Sequence, residues 1–341
     1  MKFKRTVAAI LCAAAVISLA GCGNKETSID EPSHIDMSES GETESSKPEL
    51  PAANESDFEW EEYSNYVGIT DYNGSDENVI IPSKLGGKTV KVIGRSGNIG
   101  TGAFRNNTTV TSVTIPDSVT TIYRDTFIGC TNLKSVILPD SITKIGFSAF
   151  KNCSGLESVR LPNNLEEIQG EAFMDCSNLR SITIPDSVTK IGSCAFYGCT
   201  SLKSIKLPEN LYYVSESAFE HCTSLENVIL NKNLDRTLPF SFKGCTSLKS
   251  ITIPDGATRI SISSFEGCTG LESITIPDSL YAIEYNAFKG CTNLININIP
   301  DGLTTLLSSA FDGCEKIQAA YKGITYDYAH IDDLYAAVKD N

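Results

Sequence analysis

Cys199-Thr200-Ser201-Leu202-Lys203-Ser204-Ile205-Lys206-Leu207-Pro208-Glu209-Asn210-Leu211-Tyr212-Tyr213-Val214-Ser215-Glu216-Ser217-Ala218-Phe219-Glu220-His221 is one unit of a repeat, and Cys222 begins the next. Leu202, Ile205 and Leu207 place apolar side chains inward on a short strand, with Ser204 and Lys206 outward. Pro208 ends that strand by removing a backbone donor and fixing φ, and it recurs at Pro116, Pro139, Pro162, Pro185, Pro254, Pro277 and Pro300. Leu211 and Val214 line a return side, and Ala218 with Phe219 closes the turn. Phenylalanine marks the period: Phe104, Phe127, Phe150, Phe173, Phe196, Phe219, Phe242, Phe265, Phe288 and Phe311 follow one another every 23 residues. A period of that size predicts a solenoid, in which each coil buries its apolar side chains against the next.

The position before each cysteine holds Gly129, Asn152, Asp175, Gly198, His221, Gly244, Gly267, Gly290 and Gly313. These residue types tolerate positive φ, so the column reads as one left-handed turn repeated, and His221 needs no chemical role. Nine cysteines, Cys130, Cys153, Cys176, Cys199, Cys222, Cys245, Cys268, Cys291 and Cys314, share the next column. Neighbouring coils stand about 4.8 Å apart, but parallel side chains disfavour disulfide geometry, which predicts a buried ladder of reduced thiols. No CxxC or histidine partner accompanies them, so a metal site is not expected. Cys194 lies off this column, where other coils carry Asp125, Ser148, Glu171, Ser217 and Ser263, and is expected to be exposed.

The repeat, CxxLxxIxIPxxxxxIxxxAFxx, resembles the treponemal-type leucine-rich repeats of BspA-like bacterial surface proteins. The resemblance implies an α/β-class leucine-rich-repeat solenoid, mostly short strands and turns, of about ten 23-residue coils between two caps. It also implies an exported surface protein, in a family often linked to adhesion to host proteins or to other bacteria. Three departures are local: Asn107 stands where the first cysteine belongs, Asn231 replaces proline and Thr237 replaces isoleucine. The coil from Asn231 to Pro239 is therefore the expected irregularity.

The solenoid is assigned to residues 104–314. Residues 58–103 form an N-terminal cap of degenerate coils, with Val79-Ile80-Ile81-Pro82 and Val90-Lys91-Val92-Ile93 as strand-like runs. In residues 315–341, Tyr321 to Tyr326 reads as a last strand, and Ile331, Leu334, Tyr335 and Val338 share one face of a closing helix.

Residues 1–21 combine Lys2, Lys4 and Arg5 with an apolar stretch from Val7 to Ala20, the pattern of an export signal. Leu19-Ala20-Gly21-Cys22 resembles a bacterial lipobox, which implies cleavage before Cys22 and a lipid on its thiol. Residues 22–57 carry ten acids against Lys25 and Lys47 and almost no large apolar side chain, and are expected to form a disordered acidic stalk. The whole chain has a formal net charge of −14, which argues against nucleic acid as a partner and against docking on an anionic membrane other than through the anchor.

No glycine-rich phosphate loop, GxSxG elbow or HExxH is present, and His34, His221 and His330 fall in stalk, turn and cap, so neither catalysis nor a cofactor is expected. Two outward columns mark the strand face. Lys134, Glu157, Arg180, Lys203, Glu226, Lys249 and Glu272 mostly alternate in sign, and are expected to support the stack as exposed ion pairs. The other column runs Thr114, Ile137, Arg160, Thr183, Lys206, Ile229, Thr252, Thr275 and Asn298, and Ile137 and Ile229 among polar neighbours suggest a contact row for a protein ligand. On the return side, Tyr212, Tyr213 and Tyr281 with Arg236 and Arg259, beside Tyr197 of the preceding turn, form the local candidate for binding a protein or a glycan, and a purely architectural envelope role with no ligand of its own is the remaining alternative.

Overall fold

In a computed structural model, residues 51–95, 102–234 and 239–339 are described. They build a solenoid of about eleven turns made of short strands, with one helix of eight residues or more, at the C-terminal end. Each coil contributes a three-residue front strand, such as Ser135–Ile137, Ser158–Arg160 and Ser181–Thr183, and most add a two-residue return strand, such as Lys144–Ile145 and Glu167–Ile168. Both sets pair in parallel with their counterparts one coil away, Val159 with Ile182 and Ile168 with Ile191, so a residue keeps its column through the stack. The third side of the coil is a run of turns rather than a helix.

That turn side carries the regularity of the fold. Phe127 N donates to Ala149 O at 2.8 Å, Asp125 N to Phe147 O at 3.0 Å and Gly129 N to Lys151 O at 2.8 Å. The phenylalanine bond recurs in every coil from Phe104 to Phe288. Two left-handed residues per coil aim these amides along the stack. The column before each cysteine has positive φ throughout, from Asn106 at 55° to Gly313 at 75°, as the residue types predict. A second left-handed column, Asp125, Ser148, Glu171, Cys194, Ser217, Phe240, Ser263, Asn286 and Ser309, has φ of 52–66°. Its residues share no preference for that region, and an L-residue there costs roughly 1–2 kcal/mol, so the surrounding bonds impose it.

Inside this frame the ten phenylalanine rings stack with centroids 5.0–5.7 Å apart. Tyr72 continues the stack beyond Phe104 at 5.0 Å, and Phe58 continues it beyond Tyr72 at 5.1 Å. These two rings lie outside the 23-residue spacing, which is why the period does not reveal them. The cysteines lie beside the rings and are buried and unpaired, as expected. Each also donates its thiol proton: Cys153 Sγ lies 3.1 Å from Phe127 O and Cys222 Sγ 3.2 Å from Phe196 O. The same Phe127 carbonyl accepts Cys130 N at 3.1 Å, so one oxygen ties a turn to itself and to the next coil.

The caps finish what the raw ends leave open. At the N-terminus, Phe58–Glu62 pairs antiparallel with Tyr66–Tyr72, which pairs in parallel with Lys88–Ile93. The last residues assigned to the stalk join this cap: Ala53 N donates to Ile80 O, and Gly86 N donates to Glu55 Oε1. At the C-terminus the expected single strand is a hairpin, Gln318–Tyr321 against Ile324–Asp327, because Lys322 and Gly323 take φ of 47° and 80° and reverse the chain. Helix Ile331–Lys339 buries Leu334 and Val338 against the last coil, with Ile331 and Tyr335 packed beside them.

Tyrosines complete the turn ladder there. Phe311 N, with no following coil, donates to Tyr335 Oη at 3.1 Å, and Gly313 N donates to Tyr328 Oη at 3.2 Å. Burial pushes the Tyr335 phenol up to about 12. Replacing Tyr335 with phenylalanine strands the Phe311 amide and is expected to lower stability by about 1–3 kcal/mol in urea unfolding. Phe219→Ala, in mid-stack, is expected to cost about 3–5 kcal/mol. Asp327 Oδ1 lies 2.6 Å from His330 Nδ1, an exposed contact that raises the histidine pKa and lowers that of the carboxyl. The charged histidine therefore adds stability below its unfolded pKa and loses it as pH rises through the higher folded value. An NMR titration of His330 should show the raised midpoint, and Asp327→Asn should return it towards the ordinary one.

Candidate functional site

The front strands expose two side chains in every three. Ser135, Ser158, Ser181, Ser204, Asn227, Ser250, Ser273 and Asn296 form one outward column, and the Thr114 to Asn298 column forms the other. Register places Thr114 beside Ile137, Ile137 beside Arg160, Arg160 beside Thr183, and Lys206 beside Ile229. Ile137 is 62% exposed and Ile229 58%, so both apolar side chains stand in solvent on a field of hydroxyls and amides. Arg160 is held by a two-oxygen contact to Asp140, at 2.9 and 3.0 Å, and Asp140 also accepts Asn163 N at 2.9 Å. The Asn163 amide and then Arg160 keep the Asp140 carboxyl below its ordinary range. Lys206, Thr183, Pro185, Ser187 and Ser204 line an open groove beside it.

The alternating-sign column behaves differently from expectation. Only Lys249 and Glu272 come within ion-pair range among its described residues, at 3.6 Å. These side chains are long and exposed, and an ion pair between them contributes about 0–1 kcal/mol and does not outweigh side-chain entropy. Their backbones carry the regular contact instead: Glu157 N donates to Lys134 O, Arg180 N to Glu157 O, and Glu226 N to Lys203 O.

On the return side Tyr212 and Tyr213 are adjacent and both exposed, at 61% and 48%. Arg259 and Tyr281 are brought together: the guanidinium lies 5.5 Å from the ring centroid, and Nη2 donates to the phenol oxygen at 2.6 Å. Glu284 accepts from Arg259 Nη1 at 3.1 Å and from Ile262 N. Tyr197 is not part of this group. Its ring meets His221 edge-on at 5.4 Å on the turn side, and no ring contact joins it to Tyr212 or Tyr213 among the described residues. Exposed Tyr285 and Ile262, one coil apart in a single column, extend the apolar surface near Tyr281 and were not foreseen; the same column holds exposed Phe147, but with Gly170, Ser193 and Glu216 between them. Arg236 and Cys22 lie outside the described residues.

A stack of parallel coils with an aromatic turn edge and a ribbed strand face defines the leucine-rich-repeat class of solenoid. The sequence model of the BspA-type leucine-rich repeat region matches residues 97–222, 166–277 and 238–325, and the chain belongs to that family. A leucine-rich repeat protein from Bacteroides ovatus superposes with a TM-score of 0.60 at 28% identity over 77% of this chain. The chain spans 62% of the length of that protein. A leucine-rich cell surface protein from Faecalibacterium prausnitzii is 25% identical over 83% of this chain and 97% of its own, with a TM-score of 0.43. The leucine-rich repeat protein of T. pallidum is 25% identical over 72% of this chain and 91% of its own, with a TM-score of 0.44. No curated protein matches the sequence.

Solenoids of this family are typically non-enzymatic. Among the described residues no group of three or more His, Cys, Asp or Glu side chains could hold a metal ion. Among the side chains most reactive by nature, burial pushes the Cys222 and Cys268 thiols up to about 12 and raises those of Cys199 and Cys245 well above the ordinary value, which holds these four protonated. Cys194, expected to be exposed, is half-buried in its left-handed turn, and burial followed by Glu171, Glu220 and Glu216 raises its pKa. With Cys12 and Cys22 replaced by serine, an aromatic disulfide reagent at pH 8 should label Cys194 alone, more slowly than a free cysteine. The nine column thiols should react only after unfolding.

Proposed function

We propose that this chain is an exported, lipid-anchored surface protein that binds a protein ligand on its strand face, in adhesion to host proteins or to other bacteria. The observation that carries the reading is the strand face itself: a field of serine, threonine and asparagine, with Arg160 and Lys206 among them and Ile137 and Ile229 standing exposed on it. Short side chains that lose little rotamer freedom, interrupted by apolar anchors, suit a partner that covers roughly 1,200–2,000 Å² in total. BspA-type leucine-rich repeat proteins are typically surface-exposed, which supports the location. The anchor rests on the lipobox-like Leu19 to Cys22 and a removable leader. Among the described residues no helix is long and apolar enough to cross a membrane.

Adjacent exposed Tyr212 and Tyr213 favour a second reading, glycan capture on the return side, because aromatic faces stack on sugar rings. The two readings separate on arrays of extracellular-matrix proteins, bacterial surface extracts and purified glycans. The first expects saturable binding to a protein. Ile137→Asp with Ile229→Asp should weaken it at least tenfold, about 1.4 kcal/mol, while Tyr212→Ala with Tyr213→Ala changes it little. Loss of binding from the tyrosine pair, with competition by free oligosaccharide, would transfer the assignment to the glycan.

A further inference from the structure

Asn73-Gly74 is the one Asn-Gly pair in the chain. It follows strand Tyr66–Tyr72 directly, where the main chain leaves the N-terminal cap sheet and runs on through Ser75 and Asp76 without regular structure. An asparagine followed by glycine is the most labile asparagine junction in chemical terms, because a main-chain nitrogen whose residue carries no Cβ can reach the side-chain carbonyl before it.

Packing imposes this glycine. A Cβ at position 74 would lie 2.4 Å from Tyr72 Oη and 2.5 Å from Tyr72 Cζ. The ring is held where it is: it stacks between Phe58 at 5.1 Å and Phe104 at 5.0 Å, and its hydroxyl accepts Asp76 N at 3.3 Å. The aromatic stack that runs into the cap therefore fixes a glycine beside Asn73, and the labile junction is a consequence of the core.

The reacting groups are open to water. Asn73 is exposed, and among the described residues the Gly74 amide has no hydrogen-bond acceptor. Asn73 Nδ2 donates to Glu59 Oε1 at 3.2 Å, a contact between two exposed side chains. The asparagines of the coils are placed differently. Asn132, Asn164, Asn210, Asn233 and Asn293 each precede a leucine, and each anchors Nδ2 on a carbonyl of the preceding coil at 2.5–3.0 Å.

We propose that Asn73 is a site of spontaneous covalent modification that loosens the N-terminal cap as the protein ages. The Gly74 nitrogen bonds to Cγ of Asn73, the Cγ–Nδ2 bond breaks, and the proton lost from Gly74 leaves with the amide group as ammonia. Water then adds across one of the two carbonyl–nitrogen bonds of the resulting succinimide. Opening at Cγ gives aspartate; opening at the main-chain carbonyl gives isoaspartate, whose backbone runs through Cγ and is one methylene longer. Either product replaces the Nδ2 donor facing Glu59 with a carboxylate, so a hydrogen bond becomes a repulsion. The added methylene also shifts Asn73 N away from Asp57 O, which it meets at 2.8 Å in continuation of the Phe58–Tyr72 pairing. The chemistry thus acts at the edge where strand Phe58–Glu62 is held to the sheet.

The test keeps the full chain folded at pH 8, samples it over days, digests each sample in acid and follows every asparagine by mass spectrometry. Asn73 should gain the mass difference between amide and acid at least tenfold faster than any of the five coil asparagines, and part of the product should accept a methyl group from an isoaspartyl methyltransferase. A smaller ratio would overturn the proposal. An Asn-Gly pair is labile in an unfolded chain too, so a urea-unfolded sample is followed in parallel. The folded rate should stay within threefold of the unfolded one, and a stronger suppression would mean that the fold protects the site, which refutes the assignment. Hydrogen–deuterium exchange reads the effect on the cap. Amides of Phe58–Glu62 should exchange at least threefold faster in converted than in fresh protein, while those of Ser158–Arg160 keep their rate, and unchanged exchange at Phe58–Glu62 would refute the loosening.

Discussion

One carbonyl per coil holds this fold in register. The phenylalanine oxygen accepts the amide of the cysteine three residues on and the thiol of the cysteine in the next coil, so the turn and the stacking contact share an atom. The cysteine column is thus more than a small apolar filler. A valine or alanine would pack there but leave the carbonyl with one donor fewer, and a serine would offer a more strongly hydrated donor in a site closed to water. The rings stack because this frame fixes their spacing close to the distance between neighbouring strands, and the two left-handed residues of each coil are held by the same bonds.

Much of this was readable from residue order alone, for physical reasons. Burial on one side of a repeated coil forces leucine, isoleucine and phenylalanine into fixed columns, and a left-handed turn forces Gly, Asn, Asp or His into another. The second left-handed column escaped because Glu171, Cys194 and Phe240 occupy it against their preference; the constraint comes from neighbouring coils and leaves no mark on residue choice. Tyr72 and Phe58 escaped because the cap reaches the stack through a hairpin and abandons the period. The C-terminal hairpin was within reach, since Lys322-Gly323 is a turn signal inside the apparent strand.

The functional surface was less legible, and unevenly so. Outward positions on the front follow directly from the period-two alternation, and Ile137 and Ile229 stand where that rule puts them. Charge alternation did not translate into ion pairs, because water and side-chain entropy compete on even terms with an exposed contact. The tyrosine group divides for a geometric reason: Tyr197 on the turn side and Tyr212 on the return side have the whole front strand Ser204–Lys206 between them, whereas Arg259 and Tyr281, a coil apart on the same side, touch. Asn231, one of two departures that mark the coil from Asn231 to Pro239, follows a front strand that shares no sheet with the next one, while Thr237, the other, lies outside the described residues.

The tyrosine hydroxyls of the C-terminal cap carry a wider meaning. Tyr335 and Tyr328 accept two of the turn-side amides that a coil otherwise offers to its successor, and neither contact depends on how many coils precede it. The cap can therefore close a stack of any number of such coils, and the gain or loss of a whole coil leaves both ends intact. Reach becomes a quantity that such a lineage can alter in whole-coil steps without redesigning the fold.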